Sequence, residues 1–206
     1  MVKNISDYRR ALKDRILEHA MHEFAYRGIK SVKMDDIAQG LCISKRTMYE
    51  IYENKECLLF EGIKRAKEKN EKEMEAIIGR SANVIELVIA IYRKRVEEFK
   101  DTCPQFYLDL EKYPSIINYL NQFHNKKHNA FMAFLERGVQ EGYFLSDVNI
   151  ELFAELFDAI IDNIVKRQLY LHYPIEQIFK SQLLVVFRGF CTVEGIKILD
   201  RCLERY

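Results

Sequence analysis

Apolar residues recur at spacings of three and four along nearly the whole chain, the period of helices with one buried face. In the first such stretch Ile16, Ala20 and Phe24 stack on successive turns, with Leu12, Leu17 and Met21 widening the stripe. The pattern predicts a helix over about 7–27. Gly28 is placed to end it, because glycine takes the left-handed cap conformation at no steric cost. A short helix is predicted over 34–41, with Ile37, Ala38 and Leu41 facing inward. A second short helix fits 45–52, where the Ser44 hydroxyl can cap the first free N–H groups. A longer helix begins at Asn54, another suitable cap, and runs towards Gly79. Further helices fit 83–100, 104–112, 114–142, 149–170 and 174–203. Pro104, Pro114 and Pro174 each suit a first helical turn, where a missing N–H costs nothing. With 8 glycines and 3 prolines in 206 residues, the chain reads as all-α.

Two short helices around a tight turn, the second opening Ser44-Lys45-Arg46-Thr47, form a helix-turn-helix pattern. In such a unit the first helix braces the second, whose N-terminal residues enter the DNA major groove. Lys45 and Arg46 can reach phosphates or guanine edges, and Thr47 can bond a phosphate or pack its methyl group on thymine. Met48 and Tyr52 point back to the core, leaving Tyr49 beside the groove. Lys55, in the first turn of the next helix, adds positive charge where free backbone N–H groups already favour an anion.

Over residues 28–58 the sequence resembles the TetR family of regulators. The resemblance is carried by Gly28-Ile29-Lys30-Ser31-Val32-Lys33-Met34-Asp35-Asp36-Ile37-Ala38, by Ile43-Ser44-Lys45-Arg46-Thr47-Met48-Tyr49, and by Tyr52-Glu53-Asn54-Lys55-Glu56-Cys57-Leu58. Ile16-Leu17 and Ala20, Phe24-Ala25 and Gly28 also match the first helix of that family. The resemblance implies a homodimer on a palindromic double-stranded operator, a small-molecule effector of unknown identity, and more often repression than activation. It implies an N-terminal three-helix DNA-binding domain (1–53), joined by the helix from Asn54 to a helical-bundle ligand-binding and dimerisation domain (54–206). The expected DNA-binding residues are Lys33, Ser44, Lys45, Arg46, Thr47, Tyr49 and Lys55. Three positions depart from the family pattern. Cys42 stands where the turn generally has glycine, Lys33 where the second helix usually has a hydroxyl cap, and Arg46 where many members have glycine.

Aromatic residues crowd positions 92–157, which fits either a helix-bundle core or an apolar cavity with a few polar groups. The resemblance favours a pocket, with Tyr92, Phe106, Tyr107, Phe123, Phe131 and Phe157 as its expected lining. In the last two long stretches apolar residues are not confined to one face. Phe153, Phe157, Ile160 and Ile164 share one face, while Leu152 and Leu156 lie on another. The run Leu183-Leu184-Val185-Val186-Phe187 is apolar all round and is followed by Phe190. Helices of this kind are either buried wholly inside the monomer or packed on the core with one face and on a partner subunit with the other, and a chain of this size favours the second. Ile160, Ile164, Leu183, Val186, Phe187 and Phe190 are the expected dimer contacts.

Charge and reactive residues refine this picture. The formal net charge is +1, but residues 1–70 hold 15 Lys/Arg against 11 Asp/Glu, a mildly basic head on a mildly acidic remainder. The 5 cysteines are scattered with no Cys-x-x-Cys pair, as for reduced thiols in the cytoplasm. His124 and His128 have the i, i+4 spacing of a metal pair, yet Asn125-Lys126-Lys127 lies between them, so no metal or other cofactor is expected. No phosphate loop, nucleophile elbow or paired-carboxylate motif stands out, and the chain reads as no enzyme. No signal peptide or membrane span is evident. The alternative reading is a helical interaction or ligand-carrier protein whose head does not read DNA.

Overall fold

A computed structural model describes residues 2–204, and the side chains of these except 2–6, 124, 125, 162, 165 and 183. The element order is α1 (Val2–Arg27), α2 (Met34–Gly40), α3 (Lys45–Ile51), α4 (Lys55–Arg80), α5 (Val84–Lys100), α6 (Pro104–Leu110), α7 (Pro114–Asn121), α8 (His124–Gln140), α9 (Ile150–Lys166), a 3-10 turn (Leu169–Leu171), α10 (Ile175–Gln182), a π-helical turn (Leu183–Phe187), α11 (Arg188–Phe190) and α12 (Val193–Glu204). Among the described residues there is no strand, only an isolated bridge between Phe144 and Cys191.

The chain divides into two compact units. The first holds residues 1–72 and 101–120, the second 73–100 and 121–206. This division differs from the sequence-based boundary at 53/54. The reason lies in burial: α6 and α7 complete the core of the first unit, in which Phe106 and Ile116 join Ile16, Ala20, Phe24, Ile37, Met48 and Leu58. Helix α4 supplies residues to both units along its length.

Within the first unit the α1 cap forms as expected: Gly28 has φ +83° and its N–H donates to Phe24 O at 2.9 Å. The Ser44 Oγ accepts from the Thr47 N–H at 3.0 Å, closing the N-terminus of α3. Cys42 adopts φ +54°, so the turn keeps the left-handed geometry that glycine would supply, at a cost of about 1–2 kcal/mol in a residue bearing Cβ. Lys33 has no hydroxyl to cap α2. Instead the Asp36 carboxylate turns back and accepts from the Lys33 N–H at 2.9 Å.

The second unit buries Val84, Ile85, Ile89, Leu135, Phe144, Phe187, Phe190 and Leu199 together. Gly142, at φ +77°, ends the α8 segment. Here the expected helices are interrupted. The 114–142 stretch breaks at 122–123, where Phe123 leaves helical geometry at φ −97°, ψ +3°. The 149–170 stretch ends at Lys166, and Gln168 is left-handed at φ +52°. The 174–203 stretch breaks at Cys191, for a tertiary reason. Leu145 N–H donates to Phe190 O at 3.0 Å and Thr192 N–H to Tyr143 O at 2.9 Å, so this backbone pairs across chain rather than along a helix. No described helix is long and apolar enough to cross a membrane.

Candidate nucleic-acid interface

Helix α3 is anchored by Met48, which is fully buried, and by Tyr52 just beyond its end, which is 4% exposed. The helical period then turns Lys45, Arg46 and Tyr49 outward, and all three are exposed. Thr47 is half-buried, and its hydroxyl lies 2.8 Å from the Ser44 Oγ. Lys33, at the start of α2, is also exposed. The structure therefore gathers six of the seven expected DNA-binding residues around the α2–α3 turn, on elements held by one core.

Each cation of the reading helix has an acidic partner that the sequence reading passed over. Lys45 Nζ lies 2.5 Å from Asp35 Oδ2, and Arg46 Nε lies 2.8 Å from Glu50 Oε1. The hydrogen bond to Asp35 raises the pKa of Lys45, and that to Glu50 raises the pKa of Arg46, so both stay charged. These are exposed pairs, worth little in water and readily exchanged for phosphate or base contacts. The Arg46–Glu50 spacing of four residues on a helix is itself a sequence signal for such a pair. Arg9 adds a longer-range tie, donating to Glu50 O at 3.1 Å.

Lys55 has a different place from the one expected. Its Nζ donates to Ile29 O at 2.9 Å and to Val32 O at 3.0 Å, closing the α1–α2 loop from below. Burial lowers its pKa, partly offset by the charges of Asp109 and Asp36. An ammonium with two of its three N–H donors committed to carbonyls braces this loop. Asp109, only 1% exposed, grips the same loop from α6. It accepts from the Lys30 N–H at 2.7 Å, from Gln105 Nε2 at 2.9 Å and from Lys112 Nζ at 3.0 Å. Burial alone would raise its pKa; the Lys30 N–H, with Lys112 and Gln105, outweighs burial and holds it below the usual range. Nothing in the local sequence around Asp109 signals a partner 79 positions away.

The expected pocket residues are not brought together. Phe106 and Tyr107 pack in the first unit, where their rings meet edge to face at 5.4 Å. Phe131 and Phe157 lie in the second unit, 5.0 Å apart, within a web of rings that includes Phe134, Phe153, Phe187 and Phe190. Tyr92 packs against that web, and Phe123 is half-buried just before α8. A groove of about 740 Å³ lies in the first unit, lined by Asn54, Cys57, Phe60, Lys64, Arg65 and Ser115 among others, and by none of the six.

The expected dimer residues also need correction. Phe187 and Phe190 are 9% and 2% exposed, buried by their own chain: the Phe190 ring stacks on Phe153 at 4.1 Å. Ile160, Ile164 and Val186 are half-buried, and the Leu183 side chain lies outside the described residues. Apolar side chains left in solvent in this unit include Leu152 and Leu156 on α9, each 57% exposed, Val185 at 74% and Val193 at 72%. Among the described residues no group of three or more His, Cys, Asp or Glu could hold a metal ion; the His124 side chain is outside them.

A basic, outward-facing short helix on a braced three-helix head defines a helix-turn-helix DNA reader. Residues 16–61 match the family described as bacterial regulatory proteins, tetR family. A curated relative, the HTH-type transcriptional repressor KstR2 of Mycobacterium tuberculosis, is 22% identical over 142 residues, 66% of this chain and 71% of that protein. The solved structure of that ketosteroid transcriptional regulator covers 87% of this chain and 95% of its own, with a TM-score of 0.61 and 21% identity. A transcriptional regulator from Saccharomonospora viridis in complex with choline gives a TM-score of 0.74 at 20% identity, over 91% of this chain and 99% of that one. FadR from Bacillus subtilis in complex with stearoyl-CoA gives 0.61 at 18% identity, over 84% and 96%. Sequence-specific regulation of transcription through bound DNA is the function of this chain.

Proposed function

We propose that the protein is a cytoplasmic, homodimeric repressor that binds a palindromic operator through α3 and releases it when a small molecule binds residues 54–206. It acts without catalysis. The observation that carries the reading is the disposition of α3, with Met48 buried and Lys45, Arg46 and Tyr49 exposed. In a two-fold dimer two such helices enter successive major grooves about 34–36 Å apart. Lys33, Ser44 and Thr47 then serve the phosphate backbone, which positions the head, while Arg46 is the candidate base reader.

The exposed face of α9 supports a second copy of the chain as partner. Leu152 and Leu156 stand one turn apart in solvent while Phe153 and Phe157 of the same helix face inward. Val185 is also exposed, and Ile160, Ile164 and Val186 are half-buried. Choline and stearoyl-CoA, the ligands of two fold relatives, are chemically unlike, so the architecture accommodates effectors of several classes. Selection of bound DNA from a random pool tests the proposal. A recovered palindrome supports a dimeric operator reader, and recovery of unrelated sequences with no motif would leave a helical interaction or carrier protein instead.

A further inference from the structure

Gln182, the last residue of α10, is 9% exposed, and its Nε2 is buried without a hydrogen-bond partner among the described residues. An amide nitrogen brings two donors. Left unmade in a protein interior, such a donor destabilises the fold, whereas an apolar side chain of similar size would not. A polar group held at this cost is a mark of sites that complete their hydrogen bonds with something else.

Aromatic side chains stand close by on the same helix and on the helix packed against it. Phe179, one turn earlier on α10, meets Phe99 of α5 at 5.4 Å between ring centroids. Tyr92 of α5 is half-buried and packs against the aromatic core of the same unit. Immediately after Gln182 the chain leaves α-helical geometry for the π-turn Leu183–Phe187, a departure that recurs at functional sites. Aromatic rings on α5 and α10 and one unspent amide donor suit an apolar molecule carrying an oxygen acceptor.

We infer that Gln182 is the polar anchor of the effector site, donating from Nε2 to a carbonyl or hydroxyl oxygen of a largely aromatic or apolar ligand held against α5 and α10. This inference rests on the ligand-responsive reading above. It names the residue and the ligand chemistry that the reading leaves open.

The test uses the full chain and two probes of the same shape, 2-acetylnaphthalene and 2-isopropenylnaphthalene, in which a C=CH2 group replaces the C=O. Calorimetry on the wild-type chain is expected to show the ketone binding about 5–10-fold more tightly, the worth of one neutral hydrogen bond. Gln182→Met keeps the volume and removes the donor. It should abolish the ketone preference, leave hydrocarbon binding unchanged, and raise Tm by about 2 °C or more as the unmet donor is lost. Gln182→Leu repeats the measurement should the Met variant fail to fold. Equal binding of both probes by wild type, binding of neither up to millimolar concentration, or a ketone preference that survives in both variants overturns the assignment. Affinity for selected operator DNA, measured in parallel, is expected to be the same in wild type and variant. Loss of operator binding by wild type itself would instead refute the regulator reading, whatever the probes show.

Discussion

The Lys55 ammonium donates to the carbonyl of Ile29 at 2.9 Å, so a side chain from the first turn of α4 fastens the loop leaving α1. A second bond runs to Val32 O. A lysine near a DNA-reading helix invites an electrostatic role, but two of this one's three N–H donors are engaged inside the protein.

Lys55→Met should therefore act on stability. Two carbonyls lose a charged donor, a loss of about 1–3 kcal/mol, read as a lower midpoint in urea. The salt dependence of DNA binding, measured at a temperature where the variant is folded, should keep its wild-type slope. A slope shallower by about one unit would mean that Lys55 touches phosphate after all.

Arg46→Ala and Lys33→Ala should separate base reading from backbone attraction. Loss of Arg46 is expected to cost about 1–3 kcal/mol on the selected operator and to relax preference at one position of each half-site. Loss of Lys33 should weaken all sequences alike and shallow the salt slope. Competition against operator variants at two salt concentrations distinguishes the outcomes. If the double Lys45/Arg46 alanine variant binds selected DNA like wild type, α3 is not the reading helix.

Leu156→Glu and Phe190→Ala should fail in different ways. A charge at the exposed Leu156 should give folded monomers by sedimentation, with weakened operator binding because two heads no longer share a site. Phe190→Ala removes a ring stacked in the core and should cost about 3–5 kcal/mol of stability before any effect on assembly. Monomeric wild type at micromolar concentration would remove the basis for the first expectation, while the second rests on the core of the single chain.

Asp109 predicts an acid-sensitive head. Its pKa is held below the usual carboxylate range in the folded chain, so its contribution is present above the unfolded value of about 3.9 and is lost as pH falls through the lower folded value. Asp109→Asn should flatten the fall of stability in that acidic window while lowering stability at neutral pH. Urea midpoints between pH 2 and 7 provide the measurement, and parallel pH profiles for the two proteins would contradict the assigned role.

If an effector binds, operator DNA must weaken its affinity by the factor by which the effector weakens DNA binding, typically about 5–150-fold. Titration with and without saturating operator checks this. A ligand whose affinity operator leaves unchanged is not the effector.

Local chemistry made much of the head legible. Gly28 and Gly142 stand at positive φ where helix ends required them, Ser44 caps α3, and the stripe of Ile16, Ala20 and Phe24 is fully buried. What failed to show in sequence was set by partners distant along the chain. The break after Phe190 follows from pairing with residues 143–145, and no glycine or proline stands at Cys191 or Thr192 to announce it. Aromatic density around 92–157 was read as one population, but Phe106 and Tyr107 belong to one core and Phe131 and Phe157 to another. Periodicity reports that a face is buried, not which unit buries it. All-round apolarity likewise does not say what covers a side chain: Phe187 and Phe190 are buried within the subunit.

The discontinuity of the first unit has a consequence for biosynthesis. During translation the helix-turn-helix residues leave the ribosome well before α6, which carries Asp109 and Phe106. At about 5–20 residues per second, the stretch from 72 to 112 takes about 2–8 s to add. Throughout that interval the nascent reading head has Lys55 at its loop but neither the carboxylate clamp nor the last apolar side chains of its core. Its core is complete only after the chain has passed through α5 and supplied α6 and α7, so a fragment cut at residue 53 would lack part of the apolar core that holds the reading helix.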